Sequence, residues 1–470
     1  MCGIVGIVDA GGVSLPLYYA LFALQHRGQE SAGISTYDAG ILHKHKEQGL
    51  VAEVFNREIL TELTGKVGIG HVRYPTTGEN QPENTQPLNF SFKGHVFSIV
   101  HNGNLVNSKE LSSDYEDQGH IFATTTDTEV IAAIIARELT VSGSMEDAII
   151  LCMQKLEGSY SVIAMLDGTI YAFRDPLGIK PLCIGKTDSG YMVASESVAM
   201  DALGAIFIRD LKPGELVRID SDGISYRQVT RSSHSAFCIF EYVYFARSDS
   251  VIDGVLVYDV RRKIGEMLHN EAPVNAEMIS PVPDSGMAFA TGYSEASGIP
   301  FKEGLIKNRY IGRTFIMPTQ KLRENAVRMK LNPVRGHIKG KSVVLVDDSI
   351  VRGTTSRRII ELMREFGARE VHFRVGSPPI TAPCYLGVDL PTRNDLIAHN
   401  RSPGEVCSCI SADSLHHISL EALIKATGHS PEDLCCGCLT GCYPLRISGE
   451  LSKCRDIDFV NGSYQTRLEL

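Results

Sequence analysis

One stretch constrains the fold more than any other. Val343-Val344-Leu345-Val346 is an apolar strand that runs directly into Asp347-Asp348, and Gly353-Thr354-Thr355 follows. Ile359, Leu362, Met363 and Phe366 then recur at helical spacing, and Gly367 closes the run. A strand, a Gly/Thr loop and an amphipathic helix in that order are the repeating unit of a parallel α/β sheet. Loop N–H groups, hydroxyls and a helix N-terminus together make a candidate phosphate cradle. The paired carboxylates suit sugar hydroxyls and a hydrated Mg²⁺. Two adjacent aspartates alone ordinarily mark a solvated turn; the strand before them and the loop after them argue for a site. The loop is not a Walker loop, because it has no Gly-Lys-Ser/Thr.

The alternation extends through the second half. From about residue 255, Glu277–Val282 reads as a strand, followed by Pro283-Asp284-Ser285-Gly286 and a small-residue helix. The first 230 or so residues have another texture. Short β-type segments (Gly3–Val8, Val67–Val72, Val96–His101, Tyr160–Met165, Thr169–Phe173, Glu215–Ile219) are separated by turn signals such as Asn102-Gly103 and Pro213-Gly214. Helical stretches are fewer, Leu15–Gln25 and Thr128–Leu139, so a layered α+β domain is expected. The polar segment Ser221–Ser235 is the candidate linker, giving domains at 2–230 and 255–470.

The chain has 470 residues, 43% hydrophobic and 21% charged, with 46 Lys/Arg against 55 Asp/Glu. That composition is globular, and the net charge of −9 argues against a life on nucleic acid or an anionic membrane. No apolar run approaches the ~18 residues of a membrane span. The first Lys or Arg is Arg27, so no basic stretch precedes the first apolar one, and a cytoplasmic protein is expected. In a reducing compartment the 12 cysteines read as thiols, metal ligands or a nucleophile. Between Lys302 and Lys341 eleven Lys or Arg face only Glu303 and Glu324, a local excess that fits either a compact anion or a solvated basic face.

The chain opens Met1-Cys2-Gly3-Ile4-Val5-Gly6. With Met1 removed, Cys2 would carry both a thiol and an α-amine able to act as its base. Position two alone says little. Four further segments follow in order: Leu24-Gln25-His26-Arg27-Gly28-Gln29-Glu30-Ser31-Ala32-Gly33, Gly70-His71-Val72-Arg73-Tyr74-Pro75-Thr76-Thr77-Gly78, His101-Asn102-Gly103-Asn104 and Thr126-Asp127-Thr128-Glu129. Together with the opening they resemble the class II glutamine amidotransferase domain, over roughly the first 210 residues. The resemblance implies an αββα N-terminal-nucleophile fold with Cys2 as nucleophile. Asn102 and Gly103 would be oxyanion donors, Arg73 would hold the glutamine carboxylate, and Asp127 its ammonium group. Plainer readings make Asn102-Gly103 a hairpin turn and Asp127 a helix N-cap.

The Val343–Thr355 segment resembles the phosphoribosyl pyrophosphate (PRPP) motif of type I phosphoribosyltransferases. That implies Asp347 and Asp348 on ribose and Mg²⁺, with Gly353, Thr354, Thr355 and Ser356 on the 5-phosphate. Gly304–Phe315, carrying Lys307 and Arg309, resembles a mobile loop that closes over PRPP, and Ser285 matches a serine beside the metal and pyrophosphate. Joined, the halves resemble the glutamine PRPP amidotransferases over nearly the whole chain. Such enzymes turn PRPP, glutamine and water into 5-phosphoribosylamine, glutamate and pyrophosphate, the committed step of purine synthesis. The family also implies purine nucleotides as feedback inhibitors and a homotetramer.

Cys238, Cys384, Cys435 and Cys438 match four cysteines that carry a structural 4Fe–4S cluster in one subfamily. Four thiolates suit zinc equally well. Cys436 and Cys442 are alternative ligands, Cys407 and Cys409 add two thiols, and Cys152 and Cys183 read as core residues. With only Met1 ahead of Cys2, no self-cleaved propeptide is needed. A PRPP-binding regulator without turnover is disfavoured by the complete catalytic set. A glucosamine-phosphate-forming amidotransferase is disfavoured because the Asp347–Thr355 motif has no place in it.

Overall fold

The computed structural model describes residues 1–74, 81–309 and 330–447, and the backbone of two short strands, Ile457–Val460 and Ser463–Thr466. Among the described residues the N-terminal half holds two antiparallel sheets. The seven-stranded one runs Ile206–Asp210, Cys183–Lys186, Gly190–Ala194, Gly3–Asp9, Val67–Arg73, Ser31–Asp38, Ile41–Gln48. The six-stranded one runs Gly223–Gln228, Glu215–Asp220, Thr169–Arg174, Gly158–Leu166, His95–Leu105, Leu88–Phe92.

The period-two alternation of strands sorts the side chains into layers. Ile4 and Val8 share a core with Ile163, Ile170 and Val217 of the other sheet. Val5 and Ile7 face the opposite way and pack with Leu17 and Leu21 of the helix Ser14–Ala23. Helices Asp127–Ser142 and Met145–Met153 cover the second sheet through Ile131, Ile135 and Ile149. The expected αββα order results.

The second half is built on the parallel sheet Met278–Pro281, Ser342–Asp347, Glu370–Val375, Ser414–His417. Both faces are covered, which is why Val343–Val346 is apolar without interruption. Val344 and Val346 pack with Ile264 and Phe289 of the helices Val257–Glu271 and Met287–Ser297. Val343 and Leu345 pack with Ile359 and Met363 of Thr354–Glu365. Those first two helices meet backbone to backbone: a Cβ on Gly265 would lie 1.9 Å from the Phe289 oxygen, and one on Gly292 would lie 1.8 Å from the Arg262 oxygen.

The six strands expected in the first half all form. One reading needs correction. Part of Ser221–Ser235 is not linker: Gly223–Gln228 is a strand paired antiparallel with Glu215–Asp220. It is polar because it is an edge strand whose second half is exposed. The hairpin of Ser31–Asp38 and Ile41–Gln48 was hidden for a similar reason, since its outer strand reads His43-Lys44-His45-Lys46. The crossing proper passes through Phe237–Cys238, one π-helical turn at Glu241–Phe245, and the hairpin Val251–Ile252/Val255–Leu256. Met1 and Ile179 of the first half share a core there with Phe237, Phe240 and Tyr242.

Candidate active sites

Cys2 precedes the central strand of the seven-stranded sheet and is buried. Its N–H donates to Asn102 Oδ1 at 3.1 Å, and its thiol donates to the Tyr74 carbonyl at 3.7 Å. Asn102 lies on the facing sheet, so the sandwich brings together two residues 100 positions apart. Asn102 is buried, and its Nδ2 has no hydrogen-bond partner among the described residues. A buried amide donor left unpaired is costly unless it has work to do. Beside a thiol, that work is to meet a developing oxyanion.

Asn102 and Gly103 stand inside the strand His95–Leu105, so the hairpin-turn reading is corrected. Glycine is required for space: a Cβ on Gly103 would lie 2.0 Å from the Ser159 oxygen and 2.7 Å from His101 Nε2. The N-cap reading of Asp127 is also corrected. Thr126 holds the cap position, and Asp127 is the first residue of its helix. Its Oδ2 accepts the Leu105 N–H at 2.9 Å, and its Oδ1 lies 3.3 Å from His101 Nδ1. Burial alone would lower the pKa of His101; the Asp127 carboxylate outweighs it and raises it. Arg73 ends the strand Val67–Arg73, is buried, and is within electrostatic reach of Cys2, Glu30 and Asp127. A cation and an anion flanking a thiol suit the carboxylate and ammonium of an amino acid.

No motif in the chain points to what holds Cys2 from behind. Arg27 Nε donates to the Cys2 carbonyl at 3.0 Å. Its guanidinium is fully buried and pairs with Glu196 at 2.5 Å and, bidentate, with Glu241 at 2.7 and 2.9 Å. Burial would raise the Glu196 pKa, but His26 and Arg27 hold it well below the usual carboxylate range. Glu241 opens the π-helical turn between the halves. Glu196 and Glu241 lie far from Arg27 along the chain, and the fold brings all three together behind Cys2.

At the second centre Asp347 and Asp348 are both buried. The Asp348 N–H donates to Asp347 Oδ1 at 2.9 Å, the Ser349 hydroxyl to Asp348 Oδ1 at 2.5 Å, and the Ser285 hydroxyl lies 3.5 Å from Asp347 Oδ1. Burial, and then the charge of Asp348, hold the Asp347 carboxyl well above the usual range; burial raises Asp348 too, against Arg261. Two close buried carboxyls that resist ionisation are a donor set that fits a hard divalent cation. Gly353, at φ +75°, caps the helix Thr354–Glu365, with Thr354 and Thr355 exposed and Ser356 buried. Lys307 reaches the same neighbourhood by pairing with Asp284 at 2.8 Å, next to Ser285. Arg309 is exposed. The rest of the expected mobile loop, 310–315, lies outside the described residues, as does 75–78 of the Arg73 segment. Tyr244 is within electrostatic reach of Tyr74 and of Asp347 and Asp348, and burial is the main cause that holds its phenol above the ordinary range.

The four cysteines gather in one core. Cys238 and Cys435 are opposed partners in the parallel pairing of Phe237–Cys238 with Leu434–Cys435. Thr381 and Ala382 N–H groups both donate to the Cys438 carbonyl, drawing the segment with Cys384 against the C-x-x-C. Burial raises the thiol pKa of Cys238 to about 11 and those of Cys435 and Cys438 well above the ordinary value. Among the described residues no three His, Cys, Asp or Glu side chains are close enough to share a metal ion. Cys436 packs at the same core, whereas Cys407 and Cys409 sit apart on the helix Pro403–Ile410. Cys152 and Cys183 are core residues, as expected.

Comparison with known proteins agrees in both halves. A glutamine amidotransferase domain family matches residues 71–202, and a phosphoribosyl transferase domain family matches residues 253–375. The amidophosphoribosyltransferase of Methanothermobacter thermautotrophicus is 50% identical, over 96% of each chain. That of Bacillus subtilis is 46% identical over 95% of this chain and 94% of its own. A solved structure of the allosteric regulatory enzyme of purine biosynthesis superposes with a TM-score of 0.90 at 46% identity, covering 95% of this chain and 97% of the other. So does that of the B. subtilis glutamine PRPP amidotransferase complexed with ADP and GMP, at 0.90 and 45%, covering 95% and 98%.

Proposed function

The chain belongs to the amidophosphoribosyltransferase family, and from that premise we propose that Cys2 frees ammonia from glutamine while the Asp347–Asp348 centre delivers it to PRPP. The overall reaction takes PRPP, glutamine and water to 5-phosphoribosylamine, glutamate and pyrophosphate, the first committed step of purine synthesis.

With Met1 removed, the Cys2 nitrogen is an α-amine that accepts the thiol proton. The thiolate adds to the side-chain carbonyl of glutamine, whose oxygen becomes an anion met by Asn102 Nδ2 and the Gly103 N–H. The α-ammonium returns that proton to the amide nitrogen, collapse expels ammonia and leaves a glutamyl thioester, and water hydrolyses the thioester to glutamate and the free thiol. Arg73 and Asp127 hold the amino-acid end. The unpaired Asn102 Nδ2 beside Cys2 is the observation that carries this reading. Peptide mass spectrometry after treatment with a chloroketone analogue of glutamine tests it: the adduct is expected on Cys2, and an adduct elsewhere contradicts it.

At the second centre, Asp347 and Asp348 with Ser285 would hold a Mg²⁺ that neutralises the departing pyrophosphate. The Gly353–Ser356 turn would receive the 5-phosphate, and Lys307 and Arg309 would supply cations for the pyrophosphate. Ammonia then displaces pyrophosphate from the anomeric carbon, with positioning supplying most of the rate.

Cys238, Cys384, Cys435 and Cys438 would carry a structural 4Fe–4S cluster. A cluster spreads its thiolates around several irons, which suits four thiols gathered in one core without converging on a single point. Anaerobically purified protein is expected to contain iron and sulfide; zinc at full occupancy without iron contradicts the cluster. Inhibition by purine nucleotides is supported by the ADP and GMP bound to the similar B. subtilis enzyme. The homotetramer implied by the resemblance needs subunit interfaces, and the exposed apolar residues Leu15, Tyr19 and Phe22 on one helix offer a surface for one. Among the described residues no helix is long and apolar enough to cross a membrane, which is compatible with a cytoplasmic enzyme.

A further inference from the structure

Residues 385–387 belong to the phosphoribosyltransferase half, yet they lie against residues 102–104 of the glutaminase half. Asn104 Nδ2 donates to the Tyr385 carbonyl at 2.8 Å. The Ser159 hydroxyl donates to the Leu386 carbonyl at 2.9 Å and accepts the Asn104 N–H at 3.2 Å. Gly387, at φ +88°, comes so near that a Cβ on it would lie 3.0 Å from the Gly103 carbonyl carbon and 3.2 Å from its Cα. Gly103 is therefore hemmed in by backbone from both halves: Ser159, on the neighbouring strand of the six-stranded sheet, and Gly387.

We propose that residues 385–387 are a positioning strap for the oxyanion site, with Gly387 its contact point. The strap fixes the Gly103 N–H and the Asn102 amide against Cys2, so that glutamine is opened at full rate only when the phosphoribosyltransferase half is seated. The hold consists of two carbonyls and one glycine rather than side chains at 385 and 386. Its leverage follows from the sensitivity of oxyanion donors to placement: they act only within hydrogen-bond distance of an oxygen that moves during reaction. No residue of the strap touches substrate. The proposal rests on the assignment of Asn102 and Gly103 as oxyanion donors.

The test uses the full-length enzyme and two variants. Gly387→Ala places a methyl group against Gly103, at a backbone angle that alanine tolerates poorly. Ser159→Ala removes one hydroxyl and nothing else, which guards against a folding failure in the first. Expected for Gly387→Ala is a fall of about tenfold in kcat for glutamine hydrolysis, and for Ser159→Ala about threefold. KM for glutamine and ammonium-dependent pyrophosphate release should each stay within about twofold. Unchanged glutamine kcat in both variants overturns the strap, and so does an ammonium-dependent rate that falls in step with it. Asn102→Ala is run alongside: if it keeps full glutaminase activity, the oxyanion assignment itself fails and the strap with it. If it loses activity while Gly387→Ala and Ser159→Ala do not, only the strap is wrong.

Discussion

The two centres are prepared in opposite ways. Around Cys2, opposite charges are balanced: Arg73 faces Asp127, Asp127 faces His101, and Arg27 is matched by Glu196 and Glu241. Among the described residues a neutral donor beside the thiol, Asn102 Nδ2, is left unmatched. Around Asp347 and Asp348 like charges are pressed together instead, and burial holds both carboxyls above their ordinary range. A site that must stabilise a transient oxyanion can be completed by the chain alone, because a dipole is enough. On the proposed reading the pyrophosphate site cannot be completed that way, because its paired carboxylates would need a cation beside them.

Removing charge at the second centre should have the largest effect. Asp347→Asn is expected to lower pyrophosphate release at least about 10³-fold with glutamine and with ammonium alike; a selective loss with glutamine alone would erase the contrast between the centres. Asn102→Ala should lower the glutamine-dependent kcat by about 10²–10³-fold and leave the ammonium-dependent rate intact, read by glutamate and pyrophosphate assays. Arg27→Met strands two buried carboxylates, so denaturant unfolding should show a loss of about 3 kcal/mol. An unchanged midpoint would mean that Glu196 and Glu241 find water instead.

The smallest prediction separates burial from function. Asp210 is a partly buried acid with no place in either centre; burial, and then Asp253, raise its pKa to about 7. A folded pKa above the unfolded one means that the native state binds the extra proton. Its charge therefore costs stability fully above pH 7, partly between 7 and 4, and not at all below 4. Asp210→Asn should stabilise the protein by about 1 kcal/mol at pH 8, after solvent screening, and by nothing near pH 4. Thermal unfolding at the two pH values checks it; a pH-independent gain would assign the effect to packing.

What was legible in the sequence follows the same division. The Asp347–Thr355 centre is local: strand, carboxylates, loop and helix are consecutive, so a reader of the chain meets them together. The Cys2 centre is assembled across two sheets, and Cys2, Arg73, Asn102 and Asp127 could be named only through the resemblance. The partners Glu196 and Glu241 were not visible, because a buried carboxylate looks like any other until its arginine is found. Gly103 was read as a turn because its need for space arises from Ser159 and Gly387, which are remote in sequence. Edge strands such as Gly223–Gln228 read as linker, since one exposed face dilutes the apolar signal.

The most direct measurement of the whole account is pyrophosphate release from PRPP by Cys2→Ala, with glutamine and with ammonium as nitrogen donors. Glutamine-dependent release should disappear while ammonium-dependent release continues near the wild-type rate. Loss of both would contradict two separable centres, and retained glutamine-dependent release would contradict Cys2 as the nucleophile.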